Sequence, residues 1–281
     1  MKKLILVSLL LFSSSICFPQ ISLPNALETL DPITATSCYT ESYNGNKGIA
    51  QGTGFFIDVK GKLYFITNDH VVGGDFFIDE YKRKYHSLPP SDSIPDTLHV
   101  RLLRGNLDSF ILLKLPLKKN GKDNYIKFWG DELKKINEID AVAIPVDYNA
   151  MIGNATVFHV SDTMEQLITY PSLELFIVGY PANSLQVFPY AIWKKATIAS
   201  ETNLESMGIY DFWVDAQGYH GMSGSPVIFR GDSYATYPNN HYLGGGVKTI
   251  LVGIYNGIDN KSLGLGHVFK ISPIVKKLSQ Y

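Results

Sequence analysis

The chain has 281 residues, of which 45% are hydrophobic and only 18% are charged, and its formal net charge is −1. This length and apolar content allow one or two domains with a sizeable core. The sequence has no basic block of the kind that follows a phosphate backbone, which argues against nucleic acid as a partner. Twenty-four glycines and fourteen prolines, together with short runs of Val, Ile, Phe and Tyr, favour an all-β protein.

The amino terminus has the three-part plan of a secretory signal peptide, and we assign residues 1–19 to it. Two lysines precede an apolar run at 4–12, and three serines follow that run. A run of about nine residues is too short to span a bilayer. We therefore expect an exported chain, secreted or periplasmic in a bacterium, with no stable membrane span. A lipoprotein signal ending at Cys17 is the alternative, although Ile16 stands where such signals carry a small residue.

Cysteine and histidine usage fits an exported bacterial protein without cofactors. Only Cys17 and Cys38 are present, so removal of the signal leaves one thiol and no internal disulfide. No helix or basic setting is evident that would activate Cys38, and we expect it to be a buried bystander. The seven histidines show no metal-ligand spacing, so we expect neither a metal nor another cofactor.

A predicted hairpin opens the first strand-rich half of the chain. Strands at 48–59 and 63–67 flank a turn at 60–62. His70 follows the second strand, where apolar residues give way to a glycine-containing loop, and this place suits a general base. A histidine satisfied within the core is the alternative. Residues 75–95 are polar and predict an irregular surface excursion.

Asp140 stands at the head of the apolar strand 141–146. Burial of an unpaired carboxylate is costly, so this position predicts a cationic or hydrogen-bonding partner. The alternative is that Asp140 caps the strand end in water. Asp131 and Asp147 are rival carboxylates, but neither heads an apolar strand as Asp140 does. A short helix is expected at 131–138.

The second strand-rich half contains the segment Gly-Tyr-His-Gly-Met-Ser-Gly-Ser-Pro-Val at 218–227. Its glycines and the apolar residues after it predict a tight loop that leads into a buried strand. Such a loop suits Ser223 as a nucleophile, with the backbone N–H groups of Gly221 and Ser223 converging on an oxyanion. A glycine-rich and serine-rich hairpin turn without chemistry is the alternative.

The chain ends with a predicted strand at 247–255 and a helix. Ser272 is the expected N-cap, and Pro273 fits the first helical position. The apolar stripe of this helix consists of Ile274, Val275 and Leu278.

Three motifs occur in the order His70, Asp140, Ser223, which is opposite to the order in α/β-hydrolases. They are Gly-Thr-Gly-Phe-Phe-Ile before Phe-Ile-Thr-Asn-Asp-His-Val-Val, then Ile-Asp-Ala-Val-Ala-Ile, then Gly-Met-Ser-Gly-Ser-Pro-Val. At these residues the chain resembles the chymotrypsin-like (trypsin-like, PA clan) serine proteases. It is similar in particular to bacterial exported members such as glutamyl endopeptidases and the protease domains of Deg-type proteins. The resemblance covers roughly residues 45–270.

The resemblance implies two antiparallel six-stranded β-barrels, at 35–150 and 151–281, that pack at right angles with the active site between them. Ser223 would attack the peptide carbonyl, His70 would move the proton, and Asp140 would hold the imidazole. The strand at 251–258 would pair with the main chain of a protein or peptide substrate.

The resemblance also bears on activation and on specificity. Met222 replaces the aspartate that pairs with a new amino terminus in digestive enzymes, so that route of activation is not expected. The residue six before the nucleophile is Gln217, a neutral amide that does not neutralise Arg or Lys. His220 and Asn256 are expected to line the pocket rim and to favour polar or acidic side chains. A shallow, permissive pocket is the alternative.

The expected function is that of an exported serine endopeptidase. Two other functions remain open at this point. One is a binding module that keeps the double barrel and has lost its activity. The other is a β-rich surface adhesin.

Overall fold

The computed structural model describes residues 30–103, 110–128, 139–151, 156–160, 166–182, 189–237, 240–260 and 263–281. The predicted signal peptide with Cys17, the carboxylate of Asp131 and the helix expected at 131–138 lie outside these ranges. Strands dominate the described residues, and two α-helices accompany them. The expected all-β class with a C-terminal helix is confirmed.

The N-terminal half consists mainly of one eight-stranded sheet. Strands β1 to β10 are Ser37–Asn44, Lys47–Val59, Lys62–Thr67, Thr97–Leu103, Phe110–Pro116, Lys118–Lys119, Lys122–Asp123, Ile126–Lys127, Val142–Val146 and Val157–Val160. The order across the sheet is β5-β4-β1-β2-β3-β9-β8, and β6 and β7 form a separate pair. Within the described residues this order does not return to its first strand, so closure of the first barrel stays a prediction.

The hairpin of β2 and β3 is present as the sequence predicts. Lys60 and Gly61 have φ values of 54° and 79°. Two successive residues with positive φ are typical of a turn whose twist matches that of the flanking strands. β10 follows the expected boundary at residue 150 but pairs in parallel with β2 of the N-terminal sheet, so the two halves of the chain share this sheet.

The C-terminal half contains a closed barrel of six strands. Strands β11 to β17 are Gln166–Leu167, Glu174–Gly179, Ile192–Ile198, Asp211–Asp215, Pro226–Tyr237, Asn240–Asn260 and Leu265–Lys270. The barrel runs β15-β12-β13-β14-β17-β16 and closes by pairing of β16 with β15, while β11 extends from β15. All neighbouring strands in it are antiparallel.

A hydrophobic cluster joins the two halves. It contains Phe55 and Ile57 of β2, Ile228 of β15 and Ile254 of β16, each of them fully buried. Burial of an aliphatic or aromatic side chain of this size contributes about 1.5–3 kcal/mol. The cluster therefore holds the serine-bearing half against the histidine-bearing half.

The two helices differ from the sequence expectations in detail. Helix α1, Asp75–Tyr85, occupies the first part of the stretch 75–95 that was expected to be irregular, and the expectation is wrong for these residues. Helix α2, Ile271–Leu278, has Lys270 rather than Ser272 at its N-cap position, with no side-chain cap, and its apolar stripe is buried as expected. Among the described residues, no helix is both long and apolar enough to cross a lipid bilayer.

Candidate active site

The register of two strands brings Asp140 and His70 together. β3 ends at Thr67, and a 3-10 turn, Asp69–Val71, follows it. β3 pairs with β9 so that Thr67 lies opposite Val142. Asp140 precedes Val142 by two residues, so it reaches the turn that carries His70.

Both carboxylate oxygens of Asp140 contact His70. Oδ2 lies 2.5 Å from Nδ1 of the ring, and Oδ1 accepts a hydrogen bond of 3.0 Å from the backbone N–H of His70. The Asp140 side chain is 0% exposed, whereas the His70 side chain is 27% exposed. The carboxylate thus fixes the orientation of a ring that solvent still reaches, and it favours the tautomer with the proton on Nδ1.

The pKa of His70 is raised above its ordinary value of 6.5. Burial lowers this pKa, but the charge of Asp140 and its hydrogen bond raise it, and the charges of Glu80 and Asp69 add to the rise. The electrostatic effects outweigh the burial, so the surroundings stabilise the imidazolium ion.

The side chain of Asn68 holds the backbone of Asp140 in place. Its side-chain amide donates a hydrogen bond of 2.5 Å to the backbone carbonyl of Asp140, and both residues are fully buried. Among the rival carboxylates, Asp147 is exposed and accepts hydrogen bonds from the backbone and side chain of Asn149. Its carboxylate therefore caps a local turn, and Asp140 is the aspartate beside His70.

Thr53 of β2 connects the Ser223 loop to the histidine side of the molecule. Its N–H donates a hydrogen bond of 2.8 Å to the carbonyl of Ser223, and its Oγ1 donates one of 2.8 Å to the carbonyl of Gly221. Its own carbonyl accepts a bond of 2.8 Å from the hydroxyl of Thr67, the last residue of β3. Oγ1 of Thr53 also accepts a hydrogen bond of 3.0 Å from the N–H of Tyr180. These contacts place Ser223 at the junction where β3 leads to His70.

The loop before Ser223 is a tight turn from Tyr219 to Met222, closed by a backbone hydrogen bond of 3.2 Å. Gly221, its third residue, has a φ of +87°, the value that a type II turn requires at this position. Gly224 has a φ of +86°, and a Cβ atom there would lie 2.0 Å from the carbonyl oxygen of Thr53. Glycine is therefore required two residues before Ser223, at Gly221, and directly after it, at Gly224.

The N–H groups of Gly221 and Ser223 have no acceptor among the described residues. The neighbouring amides are in use, because Met222 donates to Tyr219 and Gly224 donates to Tyr255. Two amides without an acceptor within one tight loop are candidates for binding an oxyanion.

One edge of β16 is open beside Ser223. Residues 251–254 pair with β15, and Tyr255 exchanges backbone hydrogen bonds with Gly224 and Ser225. Beyond Tyr255, strand β16 pairs only with β17 in the part of the chain that the structure describes. A Cβ atom built on Gly257 would lie 3.3 Å from Oγ of Ser223. Of the segment expected to pair with substrate, only 256–258 therefore has an available edge.

The other predicted binding residues surround the loop. Gln217 and His220 are exposed in the segment before Gly221. Asn256 is half-buried, and its Oδ1 has no hydrogen-bond partner within the described residues. Cys38 is buried, as expected, and this burial raises the pKa of its thiol. No group of three or more metal-binding side chains occurs in the described ranges.

Sequence reasoning missed the roles of Thr53 and Asn68. The signal for Thr53 was a polar residue between two glycines in the middle of β2, and its contacts lie as far as 168 residues away along the chain. The signal for Asn68 was an amide between an apolar strand and His70. In both cases the bonds join segments that only the tertiary fold brings together.

No protein-family model matches the sequence, and no curated protein matches it significantly. Solved structures do match. The active form of the Rv3671c protease from M. tuberculosis has a TM-score of 0.45 and 14% identity, over 91% of this chain and 83% of that chain. The serine endoprotease from Yersinia pestis has a TM-score of 0.48 and 15% identity, over 89% of this chain and 67% of that one. At TM-scores this low the likeness carries no functional weight, so any assignment depends on the geometry of the site.

Proposed function

We propose that the protein is an exported serine endopeptidase, a hydrolase that cleaves peptide bonds through Ser223, His70 and Asp140. Ser223 is the nucleophile, His70 is the general base and then the general acid, and Asp140 orients the imidazole. Export is assigned to residues 1–19 on their sequence pattern alone.

The contact between Asp140 and His70 carries this proposal. Asp140 is fully buried, and both of its oxygens contact a single, partly exposed histidine. With its proton on Nδ1, the imidazole keeps a lone pair on Nε2, which is the atom that accepts a proton from a nucleophile. A carboxylate serving stability alone would not need a partner that remains open to solvent.

The proposed reaction forms and then hydrolyses an acyl-enzyme. Oγ of Ser223 attacks the peptide carbonyl while Nε2 of His70 takes the hydroxyl proton. The amides of Gly221 and Ser223 bind the oxyanion, and loss of one such donor typically costs about 3 kcal/mol of transition-state stabilisation. His70 then gives the proton to the leaving amine. In the second half His70 takes a proton from water, which attacks the ester of Ser223. His70 then returns this proton to Oγ of Ser223 as the Oγ–acyl bond breaks and the acid leaves.

The open edge of β16 indicates a peptide as the substrate. The backbone groups of residues 256–258 are positioned to pair with an extended chain whose carbonyl reaches Ser223. Strand addition of this kind recognises the main chain more than side chains. It favours unfolded segments of proteins over small amides that have no extended backbone.

Substitution of the nucleophile tests the proposal. Ser223→Ala should lower the hydrolysis of a denatured protein and of an ester substrate by a factor on the order of 10⁴ or more. Ser225→Ala is the matched control, because the Ser225 hydroxyl is buried and donates its hydrogen bond of 2.6 Å to the carbonyl of Met222. Activity lost in Ser225→Ala and retained in Ser223→Ala would reassign the nucleophile. An inert wild-type protein would instead favour the binding module.

A further inference from the structure

Helix α1 carries a ladder of aromatic rings. Phe77, Tyr81 and Tyr85 lie four residues apart and therefore share one face of the helix. Their ring centroids are 6.0 Å apart for the first pair and 4.5 Å for the second. Phe77 and Tyr81 are half-buried, whereas Tyr85 is 53% exposed at the outer end. The ladder thus extends from the protein into solvent.

The helix is held against the turn that contains His70. α1 begins at Asp75, five residues after His70, and packs against the turn Asp69–Val71. The carboxylate of Asp75 forms an ion pair of 2.7 Å with Lys127 of β8, which fixes the start of the helix to the sheet. The position of α1 relative to His70 is therefore set by packing and by an ion pair.

The inner end of the ladder lies beside Glu80. Glu80 follows Phe77 by three residues, so these two side chains project from neighbouring positions on the helix surface. Burial lowers and Asp140 raises the pKa of His70, and Glu80 adds to the rise from α1. Glu80 thus belongs to the helix that packs against the turn of His70, and the aromatic ladder begins next to it at Phe77.

The chemistry decides which half of a substrate would meet this helix. His70 delivers a proton to the leaving amine, so the residues after the cleaved bond lie on its side of Ser223. The open edge of β16 belongs to the opposite half of the molecule, and it would bind the residues before the bond. A chain that leaves the site past His70 would next meet α1, because this helix follows His70 along the chain and packs against its turn.

We propose that helix α1 forms the subsite for the leaving-group half of the substrate. Phe77 and Tyr81 hold an apolar or aromatic side chain at one of the first two positions after the cleaved bond, and Tyr85 extends the contact. Glu80 disfavours acidic side chains at the same positions. This inference rests on the proposed function and defines its substrates as chains with apolar residues after the cleaved bond.

Two substrates with the same acyl half test the aromatic ladder. One is a peptide with Phe or Leu after the cleaved bond, and the other is an ester that has no residue there. In the double variant Tyr81→Ala and Tyr85→Ala, kcat/KM for the peptide should fall about tenfold, while kcat/KM for the ester stays unchanged. Tyr170→Ala is the control and should change neither rate. It removes a tyrosine that is 50% exposed and that lies in the other half of the chain.

The ester also reports whether the double variant is folded. An equal loss of rate for both substrates, or no loss for the peptide, would overturn the proposed subsite. A wild-type protein that hydrolyses neither substrate would overturn the proposed function, and the subsite with it.

A charge substitution tests the role of Glu80 separately. Two peptides are compared that differ only in having Asp or Leu directly after the cleaved bond. In Glu80→Gln, kcat/KM for the Asp peptide divided by kcat/KM for the Leu peptide should rise about threefold. A ratio taken at one pH cancels any effect of the substitution on His70. Asp79→Asn is the control, because the Asp79 carboxylate pairs with Lys82 at 3.1 Å, and its ratio should not change. An unchanged ratio in Glu80→Gln, or an equal rise in Asp79→Asn, would refute the charge effect.

Discussion

Replacement of Asp140 by Asn should convert His70 from a base into a ring that has its proton on the wrong nitrogen. In the protein, Oδ1 accepts the backbone N–H of His70 and Oδ2 lies against Nδ1. The backbone N–H still needs an acceptor, so the amide oxygen of Asn takes the position of Oδ1. Its NH₂ group then faces Nδ1, which must accept, and the ring proton moves to Nε2. A ring protonated at Nε2 cannot take the proton of Ser223.

The size of the effect follows from this change of tautomer. We expect kcat to fall by about 10⁴, which corresponds to about 5.5 kcal/mol of activation free energy. The pH dependence should change as well. The base form of His70 is neutral, so activity rises with pH through the pKa of His70, and the raised pKa puts the wild-type midpoint above 6.5. Without the negative charge of Asp140, burial lowers the pKa, and the midpoint of the variant should shift to lower pH.

The assay is kcat/KM for an ester substrate from about pH 5 to pH 9, a range that brackets the titration of histidine. Asp147→Asn is the matched control, because this exposed carboxylate only caps a local turn. Asp131→Asn covers the remaining rival. A full wild-type rate in Asp140→Asn, a loss of the same size in Asp131→Asn, or a midpoint that does not move would refute the assigned role of Asp140.

Two further predictions concern the loop and its pocket. Thr53→Val should lower the free energy of unfolding in urea by about 2–6 kcal/mol. The buried N–H of Tyr180 and the carbonyl of Gly221 each lose a partner, at a cost of about 1–3 kcal/mol for each group. An unchanged urea midpoint would contradict the role given to this hydroxyl. Mass spectrometry of the fragments from a denatured protein mixture should show no dominant Arg or Lys before the cleaved bond, because Gln217 is neutral. A strong preference for either residue would refute that exclusion.

The sequence predicted those parts of the site that depend on local patterns. The two predicted strands at 48–59 and 63–67 and the turn at 60–62 identified the hairpin that ends next to His70. The cost of burying a carboxylate predicted that Asp140 has a partner. The partner itself depends on the pairing of Thr67 with Val142, and strand pairing across so many residues is a property of the whole fold that no local pattern encodes.

Helix α1 shows why composition alone was misleading. The stretch 75–95 was assigned to an excursion because of its charged residues, serines and prolines. The helical signal was the spacing of Phe77, Tyr81 and Tyr85 by four residues, which is clear only when the aromatic residues are considered apart from the charges. The N-cap residue, Gly74, makes no side-chain cap, so the usual start signal was also missing.

The most direct test of a serine nucleophile served by His70 is covalent labelling. The purified protein would be treated with a fluorophosphonate, digested, and analysed by mass spectrometry. We predict one adduct, on Oγ of Ser223, formed quickly by the wild type and by Ser225→Ala and about 10⁴ times more slowly by Asp140→Asn. No adduct on the wild type, or an adduct on another serine, would contradict the assignment of Ser223, His70 and Asp140 as one catalytic unit.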